Sequence, residues 1–401
     1  MVLAFRVSAM AQQVLLVFGT RPEAIKLAPL AHTLLADPDL HVRICVTAQH
    51  RQMLDQVLRL FRLQPDVDLD VMTTAQELPD LTASILTGIS RELRKNRPDL
   101  MLVHGDTTTT FASTLAAFYS GVPVGHVEAG LRTGNLYAPW PEEANRVLTG
   151  ALTSIHFAPT QRARQNLERA GVSRAAIAVT GNTVVDALLG MRKRLDDDPT
   201  LAAQADRELP SLSSARRLVL VTGHRRESFG EGMRNICEAL RRLVQRDDIE
   251  IVYPVHPNPK VRSVVEEQLG GLSGVHLIAP LEYLQFVRLM SRANIILTDS
   301  GGIQEEAPAL GIPVLVMRDT TERPEAVEAG CVRLVGTAVQ AITGGVSELL
   351  DSPTAYSQMA RATNPYGDGR ACVRIRHAIR KHFGLNVQDQ LPEWASGGDR
   401  R

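Results

Sequence analysis

The stretch that most constrains this chain runs from Thr298 to Glu325, TDSGGIQEEAPALGIPVLVMRDTTERPE. Ile295, Ile296 and Leu297 lead into it as a short apolar run, the signature of a buried strand. Asp299 and Ser300 are turn and N-cap residues, Gly301 and Gly302 follow, and a helix is expected as far as Leu310, closed by Gly311. Val314, Leu315 and Val316 then begin another strand. A strand that feeds glycines into a helix start makes an anion site. Unpaired backbone N–H groups and the helix dipole converge there, and no Cβ blocks approach. Glu306 lies one turn past Gly302, where its carboxylate can accept both hydroxyls of a ribose. Arg323, in the loop after the next strand, can reach the same phosphates. The expectation is a nucleotide diphosphate site.

The same alternation runs through the chain. Val14–Phe18 is an apolar run followed by a helix from about Ala24 to Leu35, and strands recur at Val42–Thr47, Leu100–His104, Val122–Val127, Ser154–Ala158 and Ile177–Thr180. Helical patterns such as Leu81–Leu93 and Phe111–Tyr119 lie between them. Asp196–Ser214 is polar and reads as a connection, after which strands restart at Leu218–Val221, Ile251–Tyr253, Val275–Ile278, Asn294–Thr298, Pro313–Met317 and Val332–Val335. Strand–helix alternation with short loops predicts an α/β protein of two doubly wound parallel sheets, about six strands each. The length of 401 residues agrees with two domains.

Composition excludes several partners. Lys+Arg and Asp+Glu both number 44, so no global field draws in nucleic acid or membrane and any anion site is local. No apolar run is long enough to span a bilayer. Met1–Gln13 has one Arg and a weak apolar stretch, and does not read as a signal peptide; Met10 is an alternative start. Cys45, Cys237, Cys331 and Cys372 are scattered without metal spacing, as expected of reduced core residues in a cytoplasmic protein.

In doubly wound sheets, ligands sit beyond the carboxyl ends of the strands. The polar clusters fall there in both halves, and two facing sheets would place the site in an interdomain cleft. GTRPEAIK puts Arg21 and Lys26 at the first helix start, suited to a diphosphate, although an RPE triplet is equally a solvated Arg–Glu pair. Asp106 in HGDTTTT is either a helix cap or an active carboxylate. Glu128 in HVEAGLRT sits among small apolar residues, where an ionised carboxylate is expensive without a partner or a task. Glu142 and Glu143 follow Pro141, where carboxylates complement the helix dipole and one can also face the site. Several carboxylates around one pocket suit moving a proton on and off carbon. His224 in TGHRRE, with Arg225 and Arg226 beside it, can donate to a phosphate or act as an acid. His256 in HPNP is either a ligand contact or part of a rigid turn. There is no GxGxxG with a downstream acid, no P-loop, no zinc spacing and no nucleophile elbow, so no metal or cofactor is expected.

Taken together, GTRPEAIK, TAQHR, HGDTTTT, HVEAGLRT, WPEEANR, TGHRRESFG, the Thr298–Glu325 stretch and NPYGDGRA closely resemble the non-hydrolysing bacterial UDP-N-acetylglucosamine 2-epimerases, from about Val14 to His382. The resemblance implies a GT-B fold of two Rossmann-like domains, residues 12–181 and 182–370, with the last helix (about 371–383) crossing back onto the first. It implies a homodimer, and interconversion of UDP-GlcNAc and UDP-ManNAc through 2-acetamidoglucal and bound UDP, supplying ManNAc units for surface polysaccharide. By motif, Asp106, Glu128, Glu142 and His224 match the catalytic positions. Arg21, Lys26, Phe286, Ser300, Gly301, Gly302, Glu306 and Arg323 match the UDP-contacting ones. Gln49, Gln52, Glu142, Arg225 and His256 match a second, activating UDP-GlcNAc site. One basic position of that site is absent near Ala75, and Leu281 replaces a polar residue. The alternatives are a hydrolysing relative, a GT-B glycosyltransferase and a non-catalytic nucleotide-sugar sensor.

Overall fold

The structure is a computed structural model, and it describes residues 11–48, 51–72, 76–388 and 390–395. Gln49, Ala75, Met1 and Met10, named above, lie outside the described residues. The chain divides into two compact units, one running to Ala187 and including Gly369–Ala395, the other Leu188–Asp368.

The first unit is built on strands β1 (Gln12–Phe18), β2 (Leu40–Val46), β3 (Val67–Asp68), β4 (Leu100–His104), β5 (Val124–Val127), β6 (Ile155–Ala158) and β7 (Ile177–Val179). Their order is β3-β2-β1-β4-β5-β6-β7, and every pairing is parallel. The chain reverses direction of travel across the sheet between β1 and β4, which puts their C-terminal loops at the crevice where such sheets bind ligands. The second unit repeats the plan with β8 (Arg217–Thr222), β9 (Ile249–Pro254), β10 (Val275–Ile278), β11 (Ile295–Thr298), β12 (Val314–Val316) and β13 (Val332–Leu334). Here the order is β10-β9-β8-β11-β12-β13, again parallel throughout. Its switch point lies between β8 and β11.

Each unit has its own core, because a parallel sheet must be covered on both faces. In the first, Leu15, Val17, Met101 and Val103 from the sheet pack against Ile85, Ile89, Ala112 and Ala116 from helices. In the second, Val219, Val221, Ile251 and Leu297 meet Ile236, Leu240, Val265 and Val346. The four cysteines are unpaired and buried, as their scatter suggested, and burial pushes the Cys45 thiol up to about 12.

Two expectations are corrected. The polar stretch Asp196–Ser214 is not merely a connection: it holds the end of the helix Thr183–Asp197 and a further helix, Pro199–Asp206. Asp198 caps the latter, its Oδ1 accepting from Thr200 N at 3.0 Å and Leu201 N at 3.1 Å. The Asp and Pro that read as loop residues are equally the residues that start a helix. The strand β3 was not foreseen, being two residues long and carrying no periodicity.

The C-terminal segment belongs to the first unit. The helix Ala371–His382 packs on the helix Arg21–Leu35. Beyond it, Trp394 N donates to Val179 O at 2.9 Å, closing the open edge of β7. The Arg374 guanidinium sits 5.5 Å from the Trp394 ring centre and also donates to Pro392 O at 2.9 Å. An exposed strand edge is a liability, and this strap covers it. Trp394→Ala is expected to cost about 1–2 kcal/mol through lost packing and cation–π contact. A urea midpoint unchanged by the substitution would show that the strap contributes nothing.

Candidate active site

In the first unit the site residues leave the ends of β1, β4 and β5. Thr20 caps the helix Arg21–Leu35 in a capping box with Glu23. Glu23 is not in a solvated pair with Arg21, as the RPE triplet allowed. Its side chain turns inward and is 2% exposed. One carboxylate oxygen accepts from Gly19 N (3.1 Å), Thr20 N (2.8 Å) and Thr20 Oγ1 (2.8 Å). The other accepts from Thr107 Oγ1 (2.8 Å) and Thr110 Oγ1 (3.2 Å). Burial pushes this carboxyl above its ordinary range, and the donors pull it back. Glu23 therefore ties the loop after β1 to the loop after β4. Arg21 remains exposed at the helix start.

Lys26, one turn further on, reaches Glu128 in a short ion pair. Glu128 also accepts from Asn182 Nδ2 at 2.9 Å and lies 3.6 Å from His104 Nε2. Its backbone has φ +64°, a left-handed conformation that a residue with a Cβ adopts only under constraint. The end of β5 thus aims one carboxylate at a cation, an amide and an imidazole. Burial holds the His104 ring down to about 4, overriding the pull of Glu128, so His104 is neutral near pH 7.

Asp106 does not cap the helix Thr108–Tyr119; Thr107 does, accepting from Thr110 N at 3.1 Å. The Asp106 carboxylate instead meets Arg146 through Nε at 2.9 Å and Nη2 at 2.7 Å, with about a quarter of the side chain exposed. The adjacent glutamates separate cleanly. Glu143 is buried and committed to Arg146 (3.0 Å), Thr133 N (3.0 Å) and Gly134 N (3.1 Å). Glu142 Oε2 is buried with no hydrogen-bond partner among the described residues. A buried carboxylate oxygen left open is costly in a purely structural role.

In the second unit, β8 and β11 end side by side. Asp299, expected to be a turn residue, is fully buried. Its Oδ2 accepts from His224 N and Arg225 N, both at 2.7 Å, and its Oδ1 lies 3.4 Å from His224 Nδ1. The His224 ring stacks on the His256 ring, centres 5.2 Å apart and planes 13° from parallel. His256 Nδ1 in turn accepts from Asn258 N at 3.2 Å. Ser300 is the N-cap, as expected, but its side chain makes no capping bond. The helix is α-helical over Gly301–Glu306 and tightens to 3-10 form over Ala307–Leu310, where Gly311 at φ +71° ends it.

Gly301 and Gly302 have no positive φ, and a Cβ at either would meet nothing nearer than 3.9 Å. Neither backbone strain nor internal packing requires glycine there. The Arg225 and Arg323 guanidinium groups flank Gly301, each about 4 Å from the position of that absent Cβ. Arg323 is braced by a short ion pair to buried Glu305 and by Thr321, whose Oγ1 accepts from Arg323 N at 3.0 Å. Glu306 Oε2 lies 3.9 Å from where a Gly302 Cβ would be. Phe286 is half-buried on the helix Tyr283–Arg292, and Gln52 is exposed on the helix Arg51–Phe61.

The structure therefore draws Lys26 to Glu128 and groups His224, His256, Arg225, Arg323 and the two glycines. It adds Glu23, His104, Arg146, Asn182 and Asp299. Glu23 had a visible signal, the T-x-x-E capping box. Asp299 had another, an acid directly after an apolar strand.

Two parallel-sheet units with polar loops at their switch points, one cationic and glycine-lined, the other rich in carboxylates, are those of a GT-B fold. The particular family follows from comparison: a family model for UDP-N-acetylglucosamine 2-epimerase matches residues 32–380. The chain is 61% identical to a probable UDP-N-acetylglucosamine 2-epimerase of Ralstonia nicotianae, over 93% of this chain and 100% of that one. It is 57% identical to the UDP-N-acetylglucosamine 2-epimerase of Escherichia coli K12, over 92% and 99%. The crystal structure of UDP-GlcNAc 2-epimerase from Neisseria meningitidis bound to UDP-GlcNAc superposes with a TM-score of 0.85 at 49% identity, covering 92% of this chain and 100% of that one. The chain belongs to the UDP-N-acetylglucosamine 2-epimerase family.

Proposed function

We propose that this chain interconverts UDP-GlcNAc and UDP-ManNAc without hydrolysis. The C2 proton of the sugar has no neighbouring carbonyl, so it cannot be removed on its own. A base takes it as the anomeric C–O bond breaks, a C1–C2 double bond forms, and UDP leaves with the bonding electron pair. A proton then returns to C2 on the opposite face and the same UDP oxygen adds back to C1. Asp106, Glu128 and Glu142 handle the proton. Arg21, Lys26, His224, Arg323 and the Ser300–Gly301–Gly302 turn hold the diphosphate as its charge develops. Glu306 takes the ribose and Phe286 the uracil. The proposal requires both sets of residues to act on one substrate molecule.

The observation that carries it most is Glu128, a carboxylate kept in a strained backbone conformation beside Lys26 and neutral His104. Strain held at one acid, among partners that tune it, is the mark of a working group rather than a packing one. Gln49, Gln52, Glu142, Arg225 and His256 are proposed to bind a second UDP-GlcNAc that activates the enzyme. A homodimer is proposed as well, supported by the exposed apolar side chains Phe118, Tyr119, Val147 and Leu148 on two adjoining helices. We place the enzyme in the cytoplasm and its product in surface polysaccharide synthesis; among the described residues no helix is long and apolar enough to cross a membrane.

Incubation with UDP-GlcNAc in heavy water, followed by proton NMR, is the test. The expected result is deuterium at C2 of both nucleotide sugars and accumulation of UDP-ManNAc. Free ManNAc as the main product, or no exchange, would overturn the proposal.

A further inference from the structure

A buried carboxylate in the second unit has no role in the scheme above. Asp299 is fully buried at the end of β11, and its Oδ2 receives the main-chain N–H groups of His224 and Arg225 at 2.7 Å each. Its Oδ1 faces His224 Nδ1 at 3.4 Å and has no hydrogen-bond partner among the described residues. Asp299 N itself donates to Thr222 O at 3.2 Å, and Ser300 N donates to Thr298 Oγ1 at 2.9 Å. One carboxylate therefore joins the loop after β8, which carries His224 and Arg225, to the turn that carries Ser300, Gly301 and Gly302.

We propose that Asp299 is the positioning residue of the diphosphate site, holding the His224–Arg225 loop against the glycine turn and keeping the His224 Nδ1–H inward so that Nε2 is presented to the ligand. This rests on the proposed use of His224 at the diphosphate. A carboxylate behind an imidazole fixes its tautomer and orientation and favours its charged form. Two charge-assisted backbone bonds also fix the main chain that carries the ring.

The surroundings make this charge matter. His224 faces Asp299 from β11, His256 from the loop after β9, and Arg225 from its own loop. Burial is the largest influence and lowers the ring's pKa. His256 and Arg225 lower it further, and Asp299 opposes all three. Taking away the Asp299 charge must therefore move the His224 titration to lower pH. An imidazolium at this place is present below the ring's pKa and lost as pH rises through it, so the substitution narrows the range in which His224 meets the diphosphate as a cation.

The test uses the full chain with Asp299→Asn, His224→Asn and the double variant. UDP affinity is measured by calorimetry, and the His224 ring titration by NMR, with that resonance picked out among the 11 histidines by its loss in His224→Asn. Asp299→Asn is expected to weaken UDP binding about tenfold and to shift the ring titration to lower pH. In the double variant the loss should fall well short of the sum of the two single losses, because Asp299 acts in part through the His224 ring. Additive losses, or an unshifted titration, would overturn the assignment. If Asp299→Asn fails to fold, the ring titration in wild-type protein decides. A pH-independent neutral His224 with UDP bound contradicts the proposal, and protonation on binding supports it. Neither readout depends on epimerisation, so a failure here is separable from a failure of the proposed reaction.

Discussion

Glu128→Gln should lower turnover by about three orders of magnitude while UDP is still bound within a few-fold of wild type. The substitution keeps the shape of a side chain that Lys26 and Asn182 already hold, so the end of β5 retains its geometry. What it removes is the capacity to take or return a proton. Asp106→Asn should behave similarly. Asp106 is partly exposed and paired to Arg146, so its loss leaves that half-buried guanidinium with Glu143 alone of the two carboxylates to balance it. A modest loss of stability is expected at both positions, because Glu128→Gln likewise removes the charge that the largely buried Lys26 faces. The informative measurement is the rate of deuterium entry at C2, beside UDP affinity measured independently. Proton exchange persisting in Glu128→Gln, with turnover within tenfold of wild type, would remove this residue from the chemistry. A parallel collapse of UDP affinity would instead show that its pairing with Lys26 builds the diphosphate site.

The strands follow from a pattern the sequence displays openly. Buried parallel strands read as continuous apolar runs, and Leu100–His104 can be placed to the residue on that ground; the half-buried edge strand Val275–Ile278 is placed as well. Most loops at their carboxyl ends were legible as polar clusters for the same reason. What stayed hidden is the division of labour inside a cluster. In the sequence Glu142 and Glu143 are equivalent acids at a helix start. Only the fold shows that the helix turns Glu143 inward to Arg146 and two backbone N–H groups, leaving Glu142 Oε2 open. Asp106 looked like a cap because a short acid before threonines usually is one, but Thr107 takes that place and frees the carboxylate. Asn182 and His104 gave no signal at all. Their importance arises from Glu128, 54 positions before one and 24 after the other, and side-chain convergence at that separation leaves no trace in local periodicity.

Glu23→Ala is expected to be the most damaging single change to the first unit. Five donors, two from backbone and three from hydroxyls, point at that one buried carboxylate. Truncation strips the two buried backbone N–H groups and the Thr20 hydroxyl of their acceptor, while the Thr110 hydroxyl keeps His104 O, at a cost of about 3–5 kcal/mol. For a unit of this size that corresponds to a fall in melting temperature on the order of 10 °C. Glu23→Gln should lose less. It keeps the volume and one acceptor oxygen, but turns an amide N–H2 toward groups that are themselves donors. Both variants should also slow turnover, because the Thr107 hydroxyl that Glu23 holds belongs to the residue next to Asp106, while Thr20 is next to Arg21. Calorimetric melting of both variants, with deuterium incorporation assayed well below the transition, tests the two effects separately. If Glu23→Ala melts within about 2 °C of wild type and keeps its rate, the link between the loops after β1 and β4 carries neither stability nor alignment, and the carboxylates of this half are positioned by the sheet alone.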